Sequence, residues 1–563
     1  MSAHDETPAP QVGCVTRRRV HPLLWLLGLA LLVRVIAALF LTQPGYMDAY
    51  YYYNAAESLA RGQGLTDHVL WNYLNNPPAL PQPACLYWMP LTALVISPFL
   101  WLLGNSFRAA QVPLVVLSVA LVWLTYRVSL DFFAHRPGES PAAGEPLPSG
   151  KTCAVLAAIW AIFAGFYTAF WATTDSFALF ALTAGLALYA IGRGLRNPRP
   201  LWFVLAGGFA GLAHLTRADG LLALIAALLA LGLLAWRRPH ERARLASMGL
   251  YAVLLYLAVM APWFYRNWRE TGGLLGGGLQ TLFLRDYDEL FSYGRELSFA
   301  SYLEWGGAAI LQSKLQALWF GVQNLIAVNL MIFLTPFAVC GLWARRKRVE
   351  LLPFALYAVL LYVTMTLLFT FPGMRGGLFH SSTALLPWLF AAAACGLREF
   401  VRFMSARRAS WDTVSAYRFF AVAYVLLAAC LSGVLFWNKV AGRSGPDGPW
   451  NEQNVVYNEV GDWLAQHGQD GAPVLVNNAP AFYYFVHRPA LSIPNEAPDT
   501  VVEAGRRYGA GFLILEADHP RPLRGLYRGQ EAVAGLELVH ELKSAHSSGS
   551  GGSVKVYRLE QSR

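Results

Sequence analysis

The feature that most constrains this chain is a succession of apolar stretches long enough to cross a bilayer. Crossing the hydrocarbon core takes roughly 20 helical residues. Such stretches run Leu23–Leu41, Ala109–Tyr126, Thr152–Phe170, Ser176–Ile191, Leu201–His214, Gly220–Trp236, Leu250–Tyr265, Asn324–Ala344, Leu351–Phe371, Phe379–Leu397 and Phe419–Trp437, with Leu86–Leu103 a weaker candidate. Composition agrees, because 56% of the residues are hydrophobic and only 14% charged, where a soluble domain carries about 25% charge. Disorder, collagen, coiled coil and a cytosolic enzyme are excluded. The net charge of +10 does not indicate nucleic acid, since its Lys and Arg are dispersed and form no single basic surface.

Basic loops stay cytoplasmic, so Lys and Arg orient the spans. Arg17, Arg18 and Arg19 place the N-terminus inside. Arg193/Arg196/Arg199, Arg237/Arg238/Arg242/Arg244, Arg345–Arg348 and Arg398/Arg402/Arg407/Arg408 then fall on alternate connections. Counting Leu86–Leu103 as a crossing would put Arg136 and Lys151 outside and reverse every later loop. We therefore expect this stretch, interrupted by Pro90 and Pro98, to lie at the outer interface or to re-enter, within a total of 11 to 13 spans. No cleavage site follows the first run, which reads as a signal anchor in a plasma membrane.

The expected organisation is a cytoplasmic tail over 1–21, a membrane domain over 22–437 with outer loops at 42–85 and 267–323, and an extracytoplasmic soluble unit over 438–563. In that unit the strand-like runs Pro473–Val476, Phe512–Leu515 and Val554–Leu559 alternate with helix-like Asn454–Gln466 and Asp499–Tyr508, which predicts a small α/β domain. Ser544–Ser553 and Arg136–Lys151 read as flexible loops. The six Cys are scattered, with neither metal spacing nor a disulfide framework.

The informative polar residues stand at the outer ends of spans. After the first comes G-Y-M-D-A-Y-Y-Y-Y-N-A-A-E-S-L-A-R-G-Q-G-L, which predicts an amphipathic helix on the membrane closed by Gly62 and Gly64 and carrying Asp48, Tyr52 and Glu57. Asp48 is a helix cap or a carboxylate poised over a lipid-borne substrate. A second acid, Asp175, lies in W-A-T-T-D-S on the same face, and L-R-D-Y-D-E-L in the large loop offers Asp288 with its neighbours. Arg217, Arg266, and Arg375 with His380, also stand at outer span ends. Arg there can snorkel to lipid headgroups, but as a set these cations suit a bound phosphate. Arg34 interrupts the first span and is expected to face the bundle and pair with an acid or that phosphate.

The order of D-A-Y-Y-Y-Y-N-A-A-E-S-L-A-R-G-Q-G-L, Y-W-M-P-L at 87–91, T-T-D-S at 173–176, G-L-A-H-L-T-R-A-D-G at 211–220 and P-W-F-Y-R-N-W at 262–268 resembles the polyprenyl-phosphate-sugar glycosyltransferases of the GT-C fold. The nearest group is glycosyltransferase family 39, which includes protein O-mannosyltransferases and the lipid A aminoarabinose transferase. The resemblance covers roughly 23–437. It implies a polytopic all-α membrane protein that moves one sugar, with inversion, from a polyprenyl phosphate to an acceptor hydroxyl on a glycan, lipid or protein outside the membrane. It also implies Asp48 as general base, Asp175 as a second acid and Arg217 on the donor phosphate. Where the family frequently has D-E, this chain has Asp48–Ala49, which removes one possible ligand. No metal ligand is assigned, and a divalent metal ion stays open as a cofactor. Two alternatives stand beside this reading: a transporter or flippase, though no internal repeat is evident, and an O-antigen polymerase or ligase.

The orientation is directly measurable. Reporter fusions at Lys151 and Arg199 should both report a cytoplasmic location, and an external report from either would make Leu86–Leu103 a crossing.

Overall fold

A computed structural model describes residues 21–134, 149–275, 277–369, 376–408, 410–442, 448–467, 471–543 and 552–560. Arg17–Arg19, Arg375 and most of the 136–151 and 544–553 segments lie outside them. The chain is a polytopic helical membrane protein with a small α/β domain. Helices α1 (Pro22–Phe40), α2 (Met47–Ala60), α3 (Leu91–Leu103), α4 (Phe107–Val128), α5 (Gly150–Ile162), α6 (Phe177–Arg196), α7 (Pro200–Thr216), α8 (Leu221–Arg237) and α9 (Arg242–Thr271) are followed by short α10 (Phe299–Leu303). Then come α11 (Gly307–Gln323), α12 (Thr335–Arg345), α13 (Leu352–Val363), α14 (Gly377–Ser381), α15 (Leu386–Ser405) and α16 (Thr413–Phe436). Among the described residues, eight helical stretches are long and apolar enough to cross a membrane.

Three expected spans depart from that form. The run 152–170 bends by 64° between Gly150–Ile162 and Gly165–Ala172, at Gly165 with φ +58°. The run 324–344 is not one helix: α11 continues as a π-turn over Asn324–Asn329, Met331 and Ile332 turn left-handed, and α12 restarts with Pro336 in its first turn. Helix α7 exists but, at 17 residues, spans only about 26 Å. Hydropathy averages over each of these breaks and so does not register them.

Helix α3 is too short to cross, and both its ends meet the same end of the bundle. Its leading Trp88 packs on Trp71 of the first outer loop. Past its C-terminus, Asn105 bonds Glu57 of α2, while Arg108 and Gln111 at the start of α4 donate to the last carbonyls of α1. At the opposite end Arg193 pairs with Asp131, Arg345 and Arg348 donate to the Phe133 and Phe132 carbonyls, and Arg345, Arg398 and Arg402 surround Glu399. The bundle thus has one end rich in basic loops and another where the first outer loop folds. The five described cysteines are free.

The α/β unit forms as expected around strands β4 (Val474–Val476), β6 (Phe512–Leu515) and β8 (Val554–Leu559), with α18 (Val456–His467), α19 (Ala479–Val486) and α20 (Pro498–Arg507), after the short α17 (Pro449–Glu452). Strands β5 (Ala490–Ser492) and β7 (Leu536–Leu542) complete it. The sixth strand is contributed from far away: β2 (Val69–Leu70), in the first outer loop beside the small ribbon β1 (Thr66–Asp67) and β3 (Gln82–Pro83), pairs in parallel with β5. The order is β2-β5-β4-β6-β8-β7, parallel as far as β6. Every residue of β4 and β6 is buried, as a parallel strand covered on both faces requires.

This docking alters the expected setting of α2. Ten consecutive residues, Ala49–Ser58, are buried, so α2 does not lie as an amphipathic helix on the membrane. It is enclosed between the bundle and α19, where the Tyr50 and Tyr53 rings meet Tyr484 at 5.1 and 5.0 Å and Asn54 donates to the Pro480 carbonyl.

Small residues let the helices approach. A Cβ on Gly396 of α15 would stand 1.8 Å from the Phe337 carbonyl oxygen of α12, and one on Gly341 only 1.9 Å from that of Ala392, a close crossing of the kind membrane helices favour. Gly396→Val should cost about 1–3 kcal/mol by overpacking and lower the melting temperature by several degrees. Gly232→Ala, whose methyl meets nothing within 4 Å, should not. Equal melting of the two variants would contradict the crossing.

Candidate functional site

Four connections converge where α2 begins. Asp48 enters from the first turn of α2, Asp175 from the turn before α6, Arg217 from the end of α7, and His380 from α14. Asp175 is fully buried, yet its Oδ2 accepts from the Tyr46 hydroxyl at 2.6 Å and faces His380 Nε2 at 3.0 Å, while the Ser176 amide donates to Oδ1. His380 Nε2 also lies 3.8 Å from Asp48 Oδ2. The imidazole stacks on Phe177 at 4.0 Å, and its Nδ1 faces the Gly376 carbonyl at 3.3 Å. Oxygen atoms thus face both ring nitrogens.

The two carboxylates are inequivalent. Asp175 has no exposed surface, whereas the Asp48 side chain keeps 23% exposure. Burial and the Asp175 charge push Asp48 above the usual carboxylate range, only partly offset by His380, Arg217 and a hydrogen bond from Trp88. Burial would raise Asp175 too, but the His380 charge and the hydrogen bonds from His380, Tyr46 and Ser176 outweigh it and hold Asp175 below that range. An accessible carboxylate of raised proton affinity beside a sealed one that stays charged is an arrangement suited to acid–base chemistry.

Tyr52 lies one turn beyond Asp48 on the same face of α2. Burial and the charge of Asp175 push its hydroxyl up. Arg217 Nε reaches Ser381 Oγ at 3.2 Å and Asp219 Oδ1 at 3.4 Å, so its partner is the acid of its own T-R-A-D-G motif. Asp48, Asp175 and His380 each offer a ligand atom, all within 4.8 Å, enough donors for a divalent ion. Nε2 and Asp175 Oδ2 are however engaged with each other, and an ion would have to break that bond.

The other sequence candidates fall elsewhere. Arg34 is buried in α1 and faces the bundle as expected, but among the described residues it pairs with no acid. One guanidinium nitrogen donates to the Ala161 carbonyl at 3.0 Å, just before the α5 break. Glu57 binds Arg61 at 2.8 Å and Asn105, on the part of α2 facing the α3–α4 turn. Asp288 is exposed in a loop that docks on the α/β unit, where the Tyr293 and Gly294 amides donate to Glu496. Arg266 donates to the Ala84 carbonyl at 2.8 Å and the Leu65 carbonyl at 3.5 Å, over the Trp263 ring. Its place is to clamp the first outer loop. Sequence reasoning did not single out Tyr46 and Trp88, although both stand inside the quoted motifs, the first two residues before Asp48.

If Arg266 is a clamp, Arg266→Gln should accelerate proteolysis within residues 62–85 while α2 stays protected. Unchanged cleavage would return Arg266 to the set of free cations.

No family model matches the sequence, and no curated protein does. Solved structures do share its fold. The crystal structure of ArnT from Cupriavidus metallidurans bound to undecaprenyl phosphate superposes with a TM-score of 0.55 at 12% identity, over 95% of this chain and 97% of that one. The apo oligosaccharyltransferase of Archaeoglobus fulgidus gives 0.54 at 14%, over 88% and 69%. The AglB oligosaccharyltransferase of the same organism, with an inhibitory peptide and a dolichol-phosphate, gives 0.52 at 14%, over 87% and 69%. The chain has the GT-C fold.

Proposed function

We propose that this protein is a membrane glycosyltransferase that moves a single sugar from a polyprenyl phosphate to an acceptor hydroxyl of a glycan, lipid or protein. The reaction lies on the outer face of a plasma membrane, with the N-terminus cytoplasmic and the α/β unit outside. The observation that carries the reading is the pairing of an accessible carboxylate, Asp48, with the sealed Asp175–His380 pair at the outer-loop end of a GT-C bundle. Solved proteins of this fold hold undecaprenyl phosphate and dolichol-phosphate.

A sugar hydroxyl is a poor nucleophile. Asp48 takes its proton as the new glycosidic bond forms and the C1–O bond to phosphate breaks, with inversion at C1. The leaving phosphate gains negative charge, which Arg217 and His380 are placed to stabilise; Tyr52 orients the acceptor or donor beside Asp48. Asp175 holds the His380 ring correctly turned through the contact to Nε2. The lipid tail stays in hydrocarbon while the head reaches water, which is why the cluster belongs at the end of the bundle.

Asp48→Asn should leave folding intact and abolish transfer in proteoliposomes supplied with polyprenyl-phosphate sugars, and near-normal turnover would remove the general-base role. The basic form of Asp48 is the active one and its pKa lies above the ordinary value, so the rate should fall with decreasing pH well before 4. His380 lowers that pKa, so His380→Gln should move the acid limb to higher pH.

A further inference from the structure

A groove of about 810 Å³ has its mouth at the basic end of the bundle and its inner end at Leu325, Tyr362 and Leu385. Its walls come from α8, α12 and α13, with Leu385, just before α15, and Leu389 of α15 as the floor. Along α13 the lining runs from Leu352 through Ala358 to Tyr362. That is about 15 Å of helix, the depth of one leaflet of a ~30 Å hydrocarbon core. The surface along that length is apolar.

The mouth is different. Arg237, Arg346 and Lys347 border it, all three exposed. Among the described residues none of them forms an ion pair, although the Arg346 guanidinium lies 4.2 Å over the Trp343 ring. Arg348 beside them is buried and donates to the Phe132 carbonyl. Three unneutralised cations therefore stand where an apolar slot meets the headgroup layer.

We propose that this groove binds an anionic diacyl phospholipid of the leaflet opposite the carboxylate cluster. Arg237, Arg346 and Lys347 hold its phosphate and one acyl chain lies along α13. Hydrocarbon fills any apolar slot that opens to the bilayer, so the slot alone selects nothing. The cations do, because basic residues at the surface attract anionic headgroups and Arg holds phosphate through paired hydrogen bonds. A polyprenyl phosphate reacting at Asp48 has its head at the far end of the bundle and cannot meet these cations at the same time.

The test uses the full chain in neutral detergent, with native mass spectrometry and thermal melting in added phosphatidylglycerol or phosphatidylcholine. Phosphatidylglycerol should be retained and raise the melting temperature, and phosphatidylcholine should do neither. The triple variant Arg237→Gln, Arg346→Gln, Lys347→Gln should bind phosphatidylglycerol on the order of a hundredfold more weakly. Arg402→Gln with Arg407→Gln, on the same face but off the groove, should keep the selectivity. Ala358→Trp should reduce retention with the mouth intact. Equal retention of both lipids, equal losses in the two charge variants, or displacement by added polyprenyl phosphate would each overturn the proposal. None of these readouts depends on glycosyl transfer.

Discussion

Asp175 is a charge without water. An isolated carboxylate in an apolar setting costs many kcal/mol unless it is paired and hydrogen-bonded, and the local architecture answers that demand. Its partners arrive from the segment before α2, from the start of α6 and from α14. Three stretches far apart in sequence are thereby fixed to one atom group, and the accessible Asp48 takes its position and its raised proton affinity from the result. Removing any partner leaves the others facing an uncompensated charge.

The second constraint is the bilayer's intolerance of free backbone polar groups. Two expected spans break within the bundle, and each break is dealt with locally. Arg34 donates to the Ala161 carbonyl just before the α5 bend, and the Ser432 hydroxyl accepts from the Gly165 amide just after it. At the break following α11 the backbone closes on itself, the Leu330 amide donating to the Leu325 carbonyl at 3.1 Å and the Ile332 amide to that of Ile326 at 2.7 Å. An Arg inside a first span, read by itself, suggests a ligand contact. In place, it satisfies a carbonyl that the broken helix leaves open.

Much of this was legible in the residues, and the limits have physical causes. Apolar length located eight stretches that form helices long enough to cross, because burial in lipid is written in composition, but it did not register the breaks after Ile162 and Asn329. Polar residues at span ends pointed to Asp48, Asp175, Tyr52, Arg217 and His380, which the fold brings together. Arg266 and Glu57 carry the same kind of signal but serve the backbone of the first loop and the α3–α4 turn; a carbonyl acceptor has no sequence signature to reveal that. Tyr46 and Trp88 were equally hard to single out in a chain so rich in aromatics. The left-handed turn at Met331 and Ile332 leaves no trace in hydropathy. The enclosure of α2 was invisible for another reason, since it depends on a domain that begins some 400 residues later.

That last dependence shapes how the protein comes to exist. Residue 69 finds its strand partner in residue 490, so the loop that follows α1 is synthesised long before the edge it completes. Until then its ladder is unpaired and its tyrosines are uncovered, and a contact between residues this far apart in sequence is slow to close. Truncation ahead of β4 therefore leaves α2 and the first outer loop without the α19 and β5 surfaces that cover them. The α/β unit in this sense completes the setting of a helix made some 400 residues before it.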